Sequence, residues 1–226
     1  MDRKPLVTID GPAGAGKSTV SKLIAKRFSF FYLDTGALYR ALAYQIDAFN
    51  GGETEEAAIR ISKLSLIEIT NEKGIFRISV DSKNVTDLIR TERIGSLASK
   101  ISAIPAVREN LLAIQRKIGA SGGVVAEGRD MGTVVFPDAE VKFYLDASVQ
   151  ERAKRRYREL LAKNEKVPLD KVEKDIIARD RQDSERAAAP LTIAKDAVVI
   201  DSTDKTIDEI VENMSEVIER LHHFGR

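Results

Sequence analysis

The stretch that decides the fold is Gly11-Pro12-Ala13-Gly14-Ala15-Gly16-Lys17-Ser18, which matches the pattern G-x-x-x-x-G-K-[ST] at every fixed position. Residues 6–9 before it are an apolar run typical of a buried strand, and residues 17–27 after it carry apolar positions at helical spacing. A glycine-rich turn lets consecutive backbone N–H groups surround a phosphate, and the start of the helix adds a positive dipole end. We therefore expect a nucleoside triphosphate site in which Lys17 reaches the β- and γ-phosphates and Ser18 offers its hydroxyl to Mg²⁺.

The rest of the chain alternates between strand and helix patterns. Further strands are predicted at residues 30–33, 123–126, 141–145 and 197–200, and helices at residues 36–49, 53–64, 91–103, 106–119 and 169–186, with two more beginning at the capping residues Ser148 and Thr206. Continuous apolar strands alternating with helices are typical of a parallel sheet covered on both faces. The sequence thus predicts an α/β P-loop fold of three layers, with a central parallel sheet and helices on both faces.

Two insertions interrupt this alternation. Between residues 64 and 85 the apolar residues alternate with polar ones around a turn at residues 71–74, which predicts a small antiparallel β insertion. Residues 150–190, between two core strands, predict a helical hairpin whose first helix carries five positive charges in seven residues, among them Arg152 and Arg155. A basic hairpin next to a phosphate loop is typical of a lid that closes and excludes water.

Composition narrows the possible chemistry. The chain has 226 residues, which favours a single domain, and it has no cysteine, which excludes disulfides, thiol nucleophiles and Cys-based zinc sites. Its two histidines, His222 and His223, lie four residues from the C-terminus, so a Ser-His-Asp arrangement or a His-based metal site is not expected. Catalysis should depend on Lys, Arg, carboxylates, hydroxyls and backbone amides.

Charge and hydropathy say little about macromolecular partners. The 36 basic and 35 acidic residues give a net charge of +1, which offers no reason to expect nucleic-acid or membrane binding. No apolar run approaches 18 residues, and residues 1–10 lack the hydrophobic region of a signal peptide. We therefore expect a cytoplasmic protein.

Three classes of P-loop protein are compatible with the loop alone. A GTPase switch would carry D-x-x-G and N-K-x-D, which are absent, and an ATP-driven motor or transporter subunit usually has a strand ending in Asp-Glu and a longer chain. A small kinase needs arginines, because phosphoryl transfer depends on positioning and charge neutralisation. Arg129 and Asp130 follow the third core strand, where ligands of open parallel sheets lie. The arginines favour the small kinase.

Several longer motifs carry a resemblance to a known family. They are the phosphate loop, L-D-T-G-A-L-Y-R at residues 33–40, P-A-V-R-E at residues 105–109, G-R-D-M-G-T-V-V-F-P-D-A at residues 128–139, R-D-R-Q-D-S-E-R-A-A-A-P-L at residues 179–191, and D-S-T at residues 201–203. In this order they resemble the bacterial cytidylate kinases, which are nucleoside monophosphate kinases, over essentially the whole chain. The run at residues 128–139 is far more specific than the loop.

The resemblance implies a reaction and a division of the chain. It implies direct in-line transfer from ATP to CMP or dCMP, giving CDP or dCDP, in pyrimidine nucleotide metabolism. It implies one kinase domain, residues 1–226, made of a core, a monophosphate-binding segment at about residues 35–110 that includes the insert at about residues 64–85, and a lid at about residues 150–190. An alternative is a related P-loop kinase acting on another monophosphate or a small hydroxy acceptor, and a second is a nucleotide-dependent switch without any acceptor.

The resemblance also supplies candidate site residues. Those on the CMP side are Thr35, Tyr39, Arg40, Ser99, Arg108, Arg129, Asp130, Arg179, Asp183 and Arg186. Arg40, Arg108 and Arg129 can hold the CMP phosphate, although Arg108 or Ser99 could instead meet the cytosine edge. The ATP side consists of Gly11, Pro12, Ala13, Gly14, Ala15, Gly16, Lys17, Ser18, Thr19 and Arg155, with Mg²⁺ held by Ser18 directly or through water. The catalytic set is Lys17, Arg129, Asp130, Arg155 and Arg179.

One mechanistic expectation does not depend on the family. The attacking atom is a phosphate oxygen, and because the second pKa of a phosphate monoester is about 6, that oxygen is largely ionised at neutral pH. Transfer therefore needs no general base. We also expect a monomer, because the lid and the acceptor segment must both move.

Overall fold

The computed structural model describes residues 3–49, 53–72 and 75–224. The turn residues Lys73 and Gly74 and the side chains of His222 and His223, all named in the sequence analysis, lie outside the described part. The strands are β1 Leu6–Asp10, β2 Phe31–Asp34, β3 Ile67–Glu72, β4 Ile75–Val80, β5 Lys83–Asn84, β6 Val124–Gly128, β7 Val141–Asp146 and β8 Val198–Asp201. The helices are α1 Lys17–Phe28, α2 Thr35–Ala48, α3 Glu55–Leu64, α4 Glu92–Ile101, α5 Pro105–Gly119, α6 Val149–Ala162, α7 Leu169–Glu185 and α8 Ile207–Phe224.

The central sheet has five parallel strands in the order β2-β6-β1-β7-β8. The run of β1 is buried at all five positions because β6 and β7 flank it and helices cover both faces. On one face α1 and α8 pack against the sheet, and on the other α2, α4 and α5 build a larger apolar core. This confirms the predicted fold class. The edge strand β8 is the least buried of the five, with Val198 and Val199 exposed.

Most helices begin at a side chain that caps them. Asp34 accepts from the backbone N–H of Ala37 at 2.9 Å, which starts α2 one residue earlier than predicted. Thr54, Thr91 and Ser148 cap α3, α4 and α6 in the same way. One turn of π-helix, Met131–Val135, follows β6 and was not predicted.

The inserted sheet consists of β3, β4 and β5 in antiparallel order, with Ile67 opposite Val80. Its buried side chains Ile67, Ile78 and Val80 join the core that contains α2. The predicted β insertion is therefore present. The third strand, only two residues long, was not predicted.

Helices α6 and α7 form the predicted helical hairpin, packed through Ala153, Leu160, Val172 and Ile176. Arg152, which the sequence analysis counted in a basic helix, is buried instead. Its guanidinium donates to the carbonyls of Ala147 at 2.8 Å and Ala13 at 3.1 Å. The hairpin is thereby anchored to the glycine-rich loop. Within the described ranges, no helix has the length and apolarity needed to cross a membrane.

Candidate active site

The loop between β1 and α1 brings backbone and lysine together. Gly11 has a φ of +146°, and a Cβ there would lie 2.0 Å from the carbonyl oxygen of Leu145 on β7, so only glycine fits. Lys17 is buried at the first position of α1 and donates from Nζ to the carbonyl of Pro12 at 2.6 Å. Burial, with a contribution from the charge of Arg129, lowers the pKa of Lys17 well below its usual value. Phosphate oxygens would supply the negative partner that this lysine needs.

Glu127, at the end of β6, is a site residue that the sequence analysis missed. Its Oε2 accepts from Ser18 Oγ at 3.0 Å, its Oε1 accepts from the Tyr32 hydroxyl, and its backbone carbonyl accepts from Thr35 Oγ1 at 2.6 Å. Burial and the nearby charge of Asp34 raise the pKa of Glu127. The signal available was an acidic residue at the carboxyl end of a buried strand, where a parallel sheet binds its ligands.

The donors near Ser18 suit magnesium rather than a softer metal. The Ser18 hydroxyl and the Glu127 carboxylate are hard oxygen donors. Among the described residues, no group of three His, Cys, Asp or Glu side chains could form an all-protein metal cage. Mg²⁺ usually keeps several waters and is held by one or two carboxylates plus substrate phosphates, which this donor set matches.

Arg129 and Asp183 join the core to α7. Arg129, directly after β6, donates from Nε to Asp183 Oδ2 at 2.7 Å. Burial opposes ionisation of both groups, but the attraction between them is stronger, so the pKa of Asp183 is lowered and the pKa of Arg129 is raised. The pair therefore stays charged inside the cleft.

Asp130 lies between two further arginines. It accepts from Arg108 of α5, and its other carboxylate oxygen is 3.6 Å from Nη2 of Arg186, after α7. Burial raises the pKa of Asp130, while Arg108 opposes that shift. The Arg108 guanidinium also lies 5.7 Å from the centroid of the Tyr39 ring, within the range of a cation–π contact. The sequence predicted all four residues, but not the contacts between them.

Arg40 and Ser99 also line the cleft. Arg40 of α2 donates to the carbonyl of Ile89 at 3.4 Å, and burial lowers its pKa. Ser99 Oγ is buried and has no hydrogen-bond partner among the described residues. Both side chains thus retain hydrogen-bonding capacity for a ligand.

The two arginines predicted to act from the lid have different surroundings. Arg155 of α6 donates to the carbonyl of Ser202 at 2.6 Å and to Ser202 Oγ at 3.0 Å, close to the carbonyl of Ala15. Arg179 of α7 is half-buried, and its buried Nε has no hydrogen-bond partner in the described part of the chain. Burial, with the charge of Arg129, lowers the pKa of Arg179 to about 10. Arg155 thus lies at the phosphate loop, and Arg179 lies among the other arginines.

Nearly all the predicted site residues border one open cleft of about 700 Å³. Those that do are Ala13, Gly14, Ala15, Gly16, Lys17, Ser18, Thr19, Thr35, Tyr39, Arg40, Ser99, Arg108, Arg129, Asp130, Arg155, Arg179, Asp183 and Arg186. Gly11 and Pro12 are not part of its wall. Gly11 lies against Leu145 of β7, and the carbonyl of Pro12 accepts a hydrogen bond from Lys17. Sequence reasoning missed Asp34, Arg90, Glu92, Glu127 and Arg156, which also line the cleft.

The family profile and the curated relatives that match this chain carry the same description. The profile of the family described as cytidylate kinase matches residues 7–220. A curated cytidylate kinase of Carboxydothermus hydrogenoformans is 46% identical over 95% of this chain and 97% of its own length. One of Citrifermentans bemidjiense is 48% identical over 96% of this chain and 94% of its own length.

A crystal structure of an uncharacterized protein from Eubacterium ventriosum aligns with a TM-score of 0.50 and 11% identity, covering 96% of this chain and 99% of that one. At that identity the likeness concerns the fold alone.

Proposed function

The chain belongs to the cytidylate kinase family, and from that premise we propose that it transfers the γ-phosphoryl group of ATP to CMP and dCMP. The observation that carries the proposal is one cleft with a phosphate loop at Lys17 and a cluster of half-buried arginines, Arg108, Arg129 and Arg186, which form ion pairs with Asp130 and Asp183. In-line transfer requires donor and acceptor phosphates to face each other without intervening water. The phosphate loop and the arginine cluster, in one cleft, suit a donor triphosphate and an acceptor nucleotide.

On the donor side, the backbone of residues 13–19 surrounds the triphosphate, and Lys17 neutralises the β- and γ-phosphates. Arg155 completes this side, because its hydrogen bonds to Ser202 hold its guanidinium beside the carbonyl of Ala15. Ser18 and Glu127 would hold Mg²⁺, which would supply further charge neutralisation when bound.

On the acceptor side, Arg40 and Arg129 bind the CMP phosphate through paired N–H groups. Arg108 and Ser99 meet the cytosine edge, with Tyr39 packing beside it. Asp183 and Arg186 bind the sugar hydroxyls. Thr35, bonded to the carbonyl of Glu127, fixes the start of α2 next to the phosphate.

The chemical step needs stabilisation of charge more than proton transfer. The attacking CMP oxygen is already ionised at neutral pH, since its second pKa is about 6. Asp130 is bonded to Arg108, so it orients that arginine and does not act as a base. Arg129, Arg155 and Arg179 neutralise the charge that spreads over the transferred group.

We further propose that the chain works as a cytoplasmic monomer with three parts: the core, the monophosphate-binding segment at residues 35–110 and the lid at residues 150–190. The separate apolar cluster of the lid supports this division, because the hairpin can keep its own packing while it moves. Nucleic acid and membrane are not expected partners, given the near-zero net charge.

The deciding experiment measures CDP formed from ATP and CMP, with dCMP, UMP, AMP and shikimate as parallel acceptors. We expect CDP and dCDP to form and the other acceptors to react far more slowly. Faster transfer to AMP, UMP or a hydroxy acid would replace the proposal with another P-loop kinase activity. A rate of ATP hydrolysis that does not change when CMP is added, with no CDP formed, would indicate a nucleotide-dependent switch.

A further inference from the structure

Tyr32 on β2 lies outside the cleft wall, yet its side chain reaches a group inside it. The residue is 4% exposed, and its hydroxyl donates to Glu127 Oε1. The inserted sheet holds Tyr32 from the other side. Asn71 Nδ2 donates to the Tyr32 carbonyl at 2.5 Å, and the ring of Phe76 packs edge-on with its centroid 5.4 Å from that of Tyr32.

The two oxygens of the Glu127 carboxylate have separate partners. Oε1 accepts from Tyr32, and Oε2 accepts from Ser18 Oγ at 3.0 Å, at the start of α1. A buried carboxylate oxygen without a donor is costly, so loss of the Tyr32 hydroxyl would drive the carboxylate to rotate towards another donor. That rotation would move Oε2 away from Ser18, because both oxygens belong to one rigid group.

We propose that Tyr32 is a positioning residue for phosphoryl transfer: its hydroxyl fixes the Glu127 carboxylate against Ser18, and its contacts with Asn71 and Phe76 make the inserted sheet part of that support. This inference rests on the proposed function, because it assigns Ser18 and Glu127 to the magnesium-nucleotide end of the cleft. Tyr32 itself touches no substrate. Residues that orient a metal's ligands in this way influence affinity and rate although they are one contact removed from the metal.

The direct test is Tyr32→Phe, which removes the hydroxyl and keeps the ring against Phe76. We expect kcat for CMP phosphorylation to fall about tenfold or more, with KM for CMP within about twofold of wild type. In calorimetric titrations without CMP, affinity for ADP with Mg²⁺ should fall about tenfold, whereas affinity for ADP with EDTA should not change. The matched control is Tyr44→Phe. The Tyr44 hydroxyl accepts from Lys83 Nζ of the same insert at 3.0 Å, and we expect its removal to leave all these values unchanged.

A double-mutant cycle separates positioning from general weakening of the fold. If Tyr32 acts through Glu127, then Tyr32→Phe should cost less than about twofold in kcat when added to Glu127→Gln. Full additivity of the two changes would overturn the inference, and so would wild-type kcat and magnesium-nucleotide affinity in Tyr32→Phe.

A second variant covers the case in which Tyr32→Phe does not fold. Asn71→Ala removes only the hydrogen bond from the insert to the Tyr32 carbonyl, and we expect kcat to fall about threefold, the value of one ordinary hydrogen bond. No fall in kcat would contradict the role of the insert. If the wild-type chain forms no CDP, the proposed function fails, and the magnesium-dependent ADP titration still tests Tyr32 by itself.

Discussion

Arg129 and Asp183 form an ion pair between the core and the lid, with Nε of Arg129 2.7 Å from Oδ2 of Asp183. Arg129 directly follows β6, while Asp183 lies near the end of α7, so the bond joins two parts of the chain that the proposed mechanism moves relative to each other. Removal of only one partner of such a buried pair strongly destabilises the folded protein, because the remaining charge is left without a partner. Arg129 therefore has two roles, as a phosphate ligand and as the partner of a lid carboxylate.

Arg129→Ala should impair the use of CMP and leave ATP binding nearly unchanged. We expect kcat/KM for CMP to fall by about a thousandfold, because an arginine that neutralises a transferred phosphoryl group contributes roughly that much to the rate. ATP affinity, measured by calorimetry, should stay within about threefold, since Lys17 and the loop backbone bind the triphosphate. Arg181→Ala is the matched control, because Arg181 is exposed on α7, the helix that carries Asp183, and forms an ion pair with Glu185. An equal loss of ATP affinity would show that the acceptor assignment is wrong.

Lys17→Ala should abolish transfer without unfolding the chain. The Lys17 ammonium group is buried, and burial already lowers its pKa, so its removal relieves a desolvation cost. We expect CDP formation to drop more than about a thousandfold while the circular dichroism spectrum and the melting temperature stay close to wild type. Lys26→Ala, an exposed change in the last turn of the same helix, should keep full activity. Retained transfer in Lys17→Ala would remove the loop from the catalytic site.

Part of the site could be predicted from sequence because position along a strand implies position in space. Arg129 and Asp130 directly follow a buried apolar strand, and the carboxyl ends of parallel strands meet at one edge. The first strand and the loop were predicted from a similar signal, because a continuous apolar run that ends in glycines is typical of a buried strand followed by a tight turn. The start of α2 was one residue off because the Asp34 cap was not recognised.

Other site residues depend on pairings that no local pattern encodes. Glu127 reaches Ser18 across 109 positions of the chain. It does so because β6 pairs with β1, which places Glu127 opposite Ile9 and beside the loop that leads into α1. Arg152 belongs to a helix whose charges resemble a solvated face. Its burial follows from where the hairpin docks on the loop, since it bonds the Ala13 carbonyl. Such contacts are set by tertiary packing rather than by the spacing of residue types.

Arg155→Ala should weaken the binding of ATP and leave the binding of CMP unchanged. The guanidinium is held beside the loop by Ser202, so its proposed ligand is the donor phosphate chain. A hydrogen bond to a charged group contributes about 1.5–3 kcal/mol, which corresponds to KM for ATP rising about tenfold or more, with KM for CMP unchanged. Lys154→Ala, one residue earlier on an exposed position, is the matched control. A rise in KM for CMP alone would place Arg155 on the acceptor side instead.

Asp10 should make the stability of the protein fall as the pH rises towards 6. Burial raises the pKa of Asp10 from 3.8 to about 6, although its carboxylate accepts from the N–H groups of Met131 and Gly132. Between these values the folded protein keeps a proton that the unfolded chain releases, so the free energy of unfolding loses about 3 kcal/mol across the window and no more above it. Urea unfolding at pH 4, 5, 6 and 7 should show a total loss that is about 3 kcal/mol smaller in Asp10→Asn than in wild type or in the exposed control Asp170→Asn. The same slope in Asp10→Asn as in wild type would assign the pH dependence to other groups.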